Sequence, residues 1–302
     1  MSLQSDAMSA PAAPREVRPF YWSVRRELWE NRALYMAPLL VVAVVMAAFL
    51  FSLFSLPRAV LRAEQPGATQ AAQVLHMPYA AAAGALFVTA FVVAVFYCLS
   101  ALHGERRARS LLFWKSLPVS DITTVLSKAA IPLIVLPLIV LIVAIAAQLV
   151  MLALSILVLL ANGISPALLL GRLELPLLWT MLPYGLVINA LWDVPVYAYL
   201  ILVSGWARRM TFVWAVAPPL GLCLFEFLAF RTKHLWGLLD DRVFGGYAEA
   251  FTIGGKGQAP IRGLADVDPL RFLANPGLWW GLVFGAACLV ACVWLRRRSE
   301  PI

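Results

Sequence analysis

Two acids stand inside stretches of the chain that are otherwise apolar, Asp193 and Glu226. An ionisable group at membrane depth is costly, so each is a candidate for function by default. Asn189 and Tyr197 lie four residues either side of Asp193, a spacing that puts all three on one helix face. Pro195 follows two residues later and frees the Leu191 carbonyl from its helical bond. The result is a polar, kinked, inward-facing strip. Such a strip can line a substrate cavity or carry a proton. It can equally be a hydrogen-bonded cluster that glues helices together. Glu226 sits roughly 16 residues, hence about 24 Å, along its run, near the outer surface. The preceding Pro218–Pro219 pair is expected to break or bend that helix. The candidate pathway residues are therefore Asn189, Asp193, Tyr197 and Glu226.

No other constellation supports catalysis. The sequence has no Gly-x-x-x-x-Gly-Lys-Ser/Thr phosphate loop and no Gly-x-Ser-x-Gly elbow. His76, His103 and His234 are scattered, with no metal-ligand spacing. Cys98, Cys223, Cys288 and Cys292 all lie in apolar runs and read as small apolar side chains. The expectation is a chain with no enzymatic centre, no metal and no cofactor of its own. Any work it does must draw energy from a partner or an ion gradient.

The elements that carry these residues follow from composition. The chain has 302 residues, 62% of them hydrophobic and only 13% charged. A globular domain carries about 25% charged residues. The expected fold class is an all-α polytopic membrane protein. Six runs are long enough to cross a hydrocarbon core of ~30 Å. They fall at about 34–56, 78–102, 129–161, 177–204, 210–230 and 278–295. Pro132 and Pro137 should kink or interrupt the start of the third, which is long enough to be one tilted helix with a cytoplasmic extension. Residues 1–18 are polar and Ala/Pro/Ser-rich, and read as a disordered tail. Residues 19–33 form an amphipathic interfacial helix. Phe20, Tyr21, Val24, Leu28 and Trp29 share one side, and Arg25, Arg26, Glu27, Glu30 and Arg32 the other.

Lys and Arg set the orientation. Most of the 24 fall on one side: the N-terminal flank, Arg106, Arg107, Arg109, Lys115, Lys128, Arg208, Arg209 and Arg296–Arg298. Both termini are therefore expected inside. The net charge of +8 reflects topology and does not suggest nucleic-acid binding. Residues 231–277 form the long outer loop. Its first part carries Leu235, Trp236, Leu238, Leu239, Val243 and Phe244 and predicts a short amphipathic helix, re-entrant or lying on the surface.

Between the second and third runs lies His103–Lys128, HGERRARSLLFWKSLPVSDITTVLSK. It opens with Glu105, Arg106, Arg107 and Arg109. Leu111, Leu112, Phe113 and Trp114 form an apolar patch, Pro118 ends any helix by Leu117, and Ser120 or Asp121 can cap the next. A short helix pinned between two spans suits the transfer of motion from a soluble partner.

A basic interfacial helix, six spans with both ends inside, Glu105, Arg109-Ser110 and Leu117-Pro118-Val119-Ser120 with Lys128 at the next span, and a long outer excursion before the last span together resemble the ABC-2 type permease family. The likeness runs from about Phe20 to Arg298. It implies an exporter-like membrane subunit of an ATP-binding-cassette transporter in the bacterial cytoplasmic (inner) membrane. Residues 19–33 resemble the family's elbow helix. The segment 104–121 resembles its coupling helix, with Glu105, Arg106, Arg107, Arg109, Leu111, Phe113, Trp114, Lys115, Leu117 and Pro118 seated on the ATPase. The implied partners are two ATPase subunits carrying ATP and Mg, a second copy of this permease or a homologous one, and membrane lipid. An extra component could dock on the outer loop. Spans one, two and five would form the dimer seam and pathway walls. Two alternatives stand beside this. One is an ion-coupled secondary carrier with Asp193 as its protonation site, and the other a membrane structural subunit with no transport role.

Overall fold

The computed structural model describes residues 19–65, 69–104, 120–173, 175–207, 209–250 and 268–298. Every regular element among them is helical. In chain order these are α1 (Pro19–Glu30), α2 (Ala33–Ser52), α3 (Leu56–Ala63), α4 (Thr69–Ser100), α5 (Asp121–Ala161), α6 (Pro166–Leu170), α7 (Leu175–Trp192), α8 (Val194–Trp206), α9 (Thr211–Phe230), α10 (His234–Ala250), α11 (Pro269–Ala274) and α12 (Pro276–Arg298).

The helices α2, α4 from Val74 onward, α5, α9 and α12 are each long and apolar enough to cross a membrane. The pair α7 and α8 passes the same test only together, bent by 49° at Asp193. The chain is thus a multi-pass all-α membrane protein with five spans, or six when the bent pair counts as one. Alternating directions gather α1, Ala207 and the end of α12 at one end, here called basal. The distal end holds α3, α6, α10 and α11.

The largest core cluster joins α2, α4, α5, α8 and α12 around Leu86, Ala94, Cys98, Ile131, Val140, Ile201 and Cys292. Small residues let α8 and α12 approach closely. A Cβ added to Gly285 would fall 2.7 Å from Val194 Cγ1. Without a hydrophobic force between helices in lipid, such close packing is the main source of association. A distal cluster of Phe49, Val60, Tyr79, Met151 and Leu169 seats α3 and α6 over the ends of α2, α4 and α5. All four cysteines are buried, and none forms a disulfide.

The prolines are absorbed in three ways. Pro132 sits in a π-helical turn, Ile131–Val135, where the Leu136 N–H reaches back to the Ile131 carbonyl and α5 continues. So α5 runs unbroken for 41 residues, about 60 Å at 1.5 Å each, well beyond a bilayer core. Its first turns pack against α1 and the end of α12 at the basal end. At Asp193 the expected kink is a true break, with Pro195 in the first turn of α8. Pro218 and Pro219, expected to break or bend α9, do not break it, and the helix is continuous from Thr211 to Phe230. One of the two carbonyls the prolines leave free has a substitute donor. Pro219 cannot bond the Ala215 carbonyl, and the Tyr199 hydroxyl of α8 donates to it at 3.2 Å.

Helix α1 also differs from its expected amphipathic split. Glu27 is buried while Trp29, Phe20 and Tyr21 are exposed. Arg25 stacks against Trp22 and Trp29, with its guanidinium carbon 5.2 and 4.7 Å from the two ring centroids. The inward line is Val24, Glu27 and Leu28.

Candidate functional site

The basal end holds the roots of residues 105–119. The ten residues Glu105, Arg106, Arg107, Arg109, Leu111, Phe113, Trp114, Lys115, Leu117 and Pro118 lie outside the described residues, as does the tail 1–18. What is described is how the two flanks are anchored. On the α4 side, the Leu102 N–H donates to Ser204 Oγ of α8 at 3.3 Å. The His103 ring nitrogen Nδ1 lies 3.3 Å from the Ala207 carbonyl just past α8. On the α5 side, Ser120 takes the extended backbone of an N-cap and accepts the Thr123 N–H at 3.1 Å. The neighbouring Asp121 accepts the Arg296 Nε of α12 at 2.8 Å. Two turns on, Lys128 Nζ donates to Glu27 Oε1 of α1 at 2.7 Å. Tyr97 of α4 donates its hydroxyl to Glu27 Oε2 at 2.9 Å.

The Glu27–Lys128 pair was not legible as such. Lys128 reads in sequence as a positive-inside marker and Glu27 as the polar face of an interfacial helix. In the structure they are only 2% and 4% exposed. A buried acid and base are tolerated when each meets the other with good geometry and further bonds fill the remaining lone pairs. Tyr97 and Asn31, whose Nδ2 lies 3.4 Å from Glu27 Oε2, supply those bonds. The cluster ties α1 to α4 and α5.

The second cluster surrounds the break in the α7–α8 span. Asp193 is 2% exposed, and Tyr197 donates its hydroxyl to Asp193 Oδ2 at 3.2 Å. The Asp193 N–H bonds the Asn189 carbonyl at 2.9 Å. Asn189 thus joins through its backbone, while its side chain is only half-buried. An unanticipated member comes from α10. The Arg242 guanidinium lies over the Trp192 ring, 4.7 Å from its centroid. It interacts electrostatically with Asp193. Arg242 Nη1 donates to the Gly277 carbonyl at 3.3 Å, and the guanidinium packs onto the bare α-carbon of Gly281 on α12. Nη2 is buried with no partner among the described residues. Burial pulls the guanidinium below its usual pKa range, and the Asp193 charge opposes that shift. Trp192 Nε1 donates to the Asp241 carbonyl at 3.1 Å, fixing the ring beneath α10.

The expected amphipathic helix of the long loop is therefore present as α10. Leu235, Trp236, Leu238, Leu239 and Val243 stay exposed, and Arg242 points into the fold. The apolar positions are the sequence signal that hid this residue.

Glu226 lies apart from the Asp193 cluster. Its carboxylate accepts the Thr232 hydroxyl at 2.7 Å and the N–H groups of His234 and Leu235 at 2.9 and 2.8 Å. The first N–H groups of a helix have no partner within it. Glu226 thus caps α10 from the preceding helix and closes the three-residue turn, in which Arg231 is left-handed with φ 57°. The structure brings Asp193 and Tyr197 together, adds Trp192 and Arg242, and gives Glu226 a bracing position.

No family model, curated protein or solved structure matches this chain.

Proposed function

We propose that the chain is the permease subunit of an ATP-binding-cassette transporter of the ABC-2 type. It exports a substrate across the cytoplasmic membrane, driven by separate ATPase subunits that dock on residues 104–121. The observation that carries the reading is the anchoring of that segment. Its flanks are bonded to α1 through Glu27–Lys128, to α8 through Leu102–Ser204, and to α12 through Asp121–Arg296. A push on the segment is thereby delivered to several helices at once, including the broken span that carries Asp193. An ordinary connecting loop needs no such bracing. The motif likeness of residues 105–120 supports the same reading. Spans with little buried surface, α2 and α9, suit a seam with a second permease copy.

The test is a double variant, Arg107→Glu with Phe113→Ala, co-expressed with an ATPase encoded beside it. Loss of co-purification and of ATP-driven transport is expected, with the permease still inserted and monodisperse. Full retention of both would overturn the proposal.

The burial of Asp193 beside Tyr197 favours one second reading, an ion-coupled carrier protonated at Asp193. It requires uptake or efflux driven by a proton gradient in vesicles without ATP. Transport that persists in a protonophore and stops without ATP excludes it.

A further inference from the structure

Arg242 and Lys128 are both basic residues facing a buried acid, and they are held very differently. Lys128 bonds Glu27 directly at 2.7 Å and is enclosed. Arg242 acts on Asp193 only through space, with one bond of 3.3 Å to Gly277 and a buried nitrogen left unpartnered among the described residues. Its main contact is the face of Trp192. An aromatic face next to a carboxylate is a recognition set for cations, because the ring quadrupole and the acid attract the same charge. The Tyr197 hydroxyl holds one oxygen of the carboxylate.

We infer that Trp192, Asp193 and Tyr197 form a binding site for a cationic group on an apolar body, and that Arg242 is its built-in occupant, displaced by cargo. This rests on the transport reading and adds the cargo class. The physical argument is charge balance. Helix α10 connects to the spans through the short Arg231–Lys233 turn on one side. If α10 withdraws to open the distal end, Arg242 leaves with it. Asp193 then stays ionised only if another cation takes the place of the guanidinium; otherwise it takes up a proton. A cargo carrying a quaternary or guanidinium charge fills that place. A neutral or anionic cargo does not. The glycine at position 281 serves the same exchange, since its missing side chain makes the room in which the guanidinium lies.

The test uses the full-length permease alone in detergent, so that it does not depend on any ATPase. The probe is radiolabelled tetraphenylphosphonium, measured by equilibrium dialysis, with triphenylphosphine oxide as the neutral comparator. Arg242→Met removes the tethered competitor and is expected to bind the cation about tenfold more tightly than the native chain. Binding of the neutral compound should not change. Adding Asp193→Asn should abolish the gain, and Arg242→Lys should keep native behaviour. Should Arg242→Met fail to fold, Gly281→Ala takes its place, because the new methyl pushes the guanidinium off α12; the same gain is expected. Equal cation affinity in the native and Arg242→Met proteins, or a gain that survives Asp193→Asn, overturns the inference. A missing ATPase partner would show only in the co-purification experiment on Arg107 and Phe113, so the two failures are separable.

Discussion

Lys128 Nζ and Glu27 Oε1 meet at 2.7 Å although their residues are 101 positions apart, and both are sealed from solvent. This contact joins the helix that precedes the first span to the root of the third.

Removing one member of this pair should be far worse than removing both. Lys128→Ala or Glu27→Ala leaves an unpaired buried charge, and each is expected to lower stability by about 3–5 kcal/mol. Glu27→Leu combined with Lys128→Met should recover most of the loss. Thermal unfolding in detergent measures it. Equal losses in the single and double variants would show that the charge pairing is not what matters.

Asp121–Arg296 is a weaker brace, with the Asp121 side chain 30% exposed. Asp121→Asn is expected to cost less than about 1 kcal/mol, and the difference should shrink at high salt. On the transport reading, the same variant should reduce ATP-coupled transport more than it reduces stability. Unfolding curves at two salt concentrations, run beside transport assays, check both.

The Tyr199 bond to the Ala215 carbonyl predicts a coupled pair. Tyr199→Phe leaves a buried carbonyl without a donor and should cost about 1–3 kcal/mol. In a Pro219→Ala background the backbone N–H gained at position 219 can bond that carbonyl itself, so the same substitution should cost much less. A double-mutant cycle reads the coupling directly.

Glu226→Ala should loosen the junction of α9 and α10 rather than abolish insertion. Three donors, from Thr232, His234 and Leu235, lose their acceptor. Faster hydrogen exchange is expected over 232–240. Unchanged exchange there would remove Glu226 from its bracing role.

Gly285→Leu should disrupt the packing of α8 on α12, because the position lies against Val194 Cγ1 and the Pro195 backbone. Overpacking of this kind costs about 1–3 kcal/mol. Gly221→Ala, with nothing within 4 Å of the added methyl, is the matched control and should be nearly neutral.

The amino-acid order alone determined the features that arise from local physics. Apolar runs long enough for a bilayer mark the spans, because lipid leaves the backbone no partner outside its own helix. Pro195 marks a break beside Asp193, and Ser120 a helix start, since both act through their nearest neighbours. The helix after Arg231 was legible from its apolar spacing, although its inward side was not. Partnerships across the chain were decided only in the tertiary structure. Nothing near Glu27 in sequence announces Lys128 and Tyr97, and nothing near Asp193 announces Arg242. Pro219 reads as a breaker until Tyr199 is seen to supply the missing donor. A charged or proline residue has two readings, exposed or satisfied, and which one holds depends on partners that only packing brings within bonding distance.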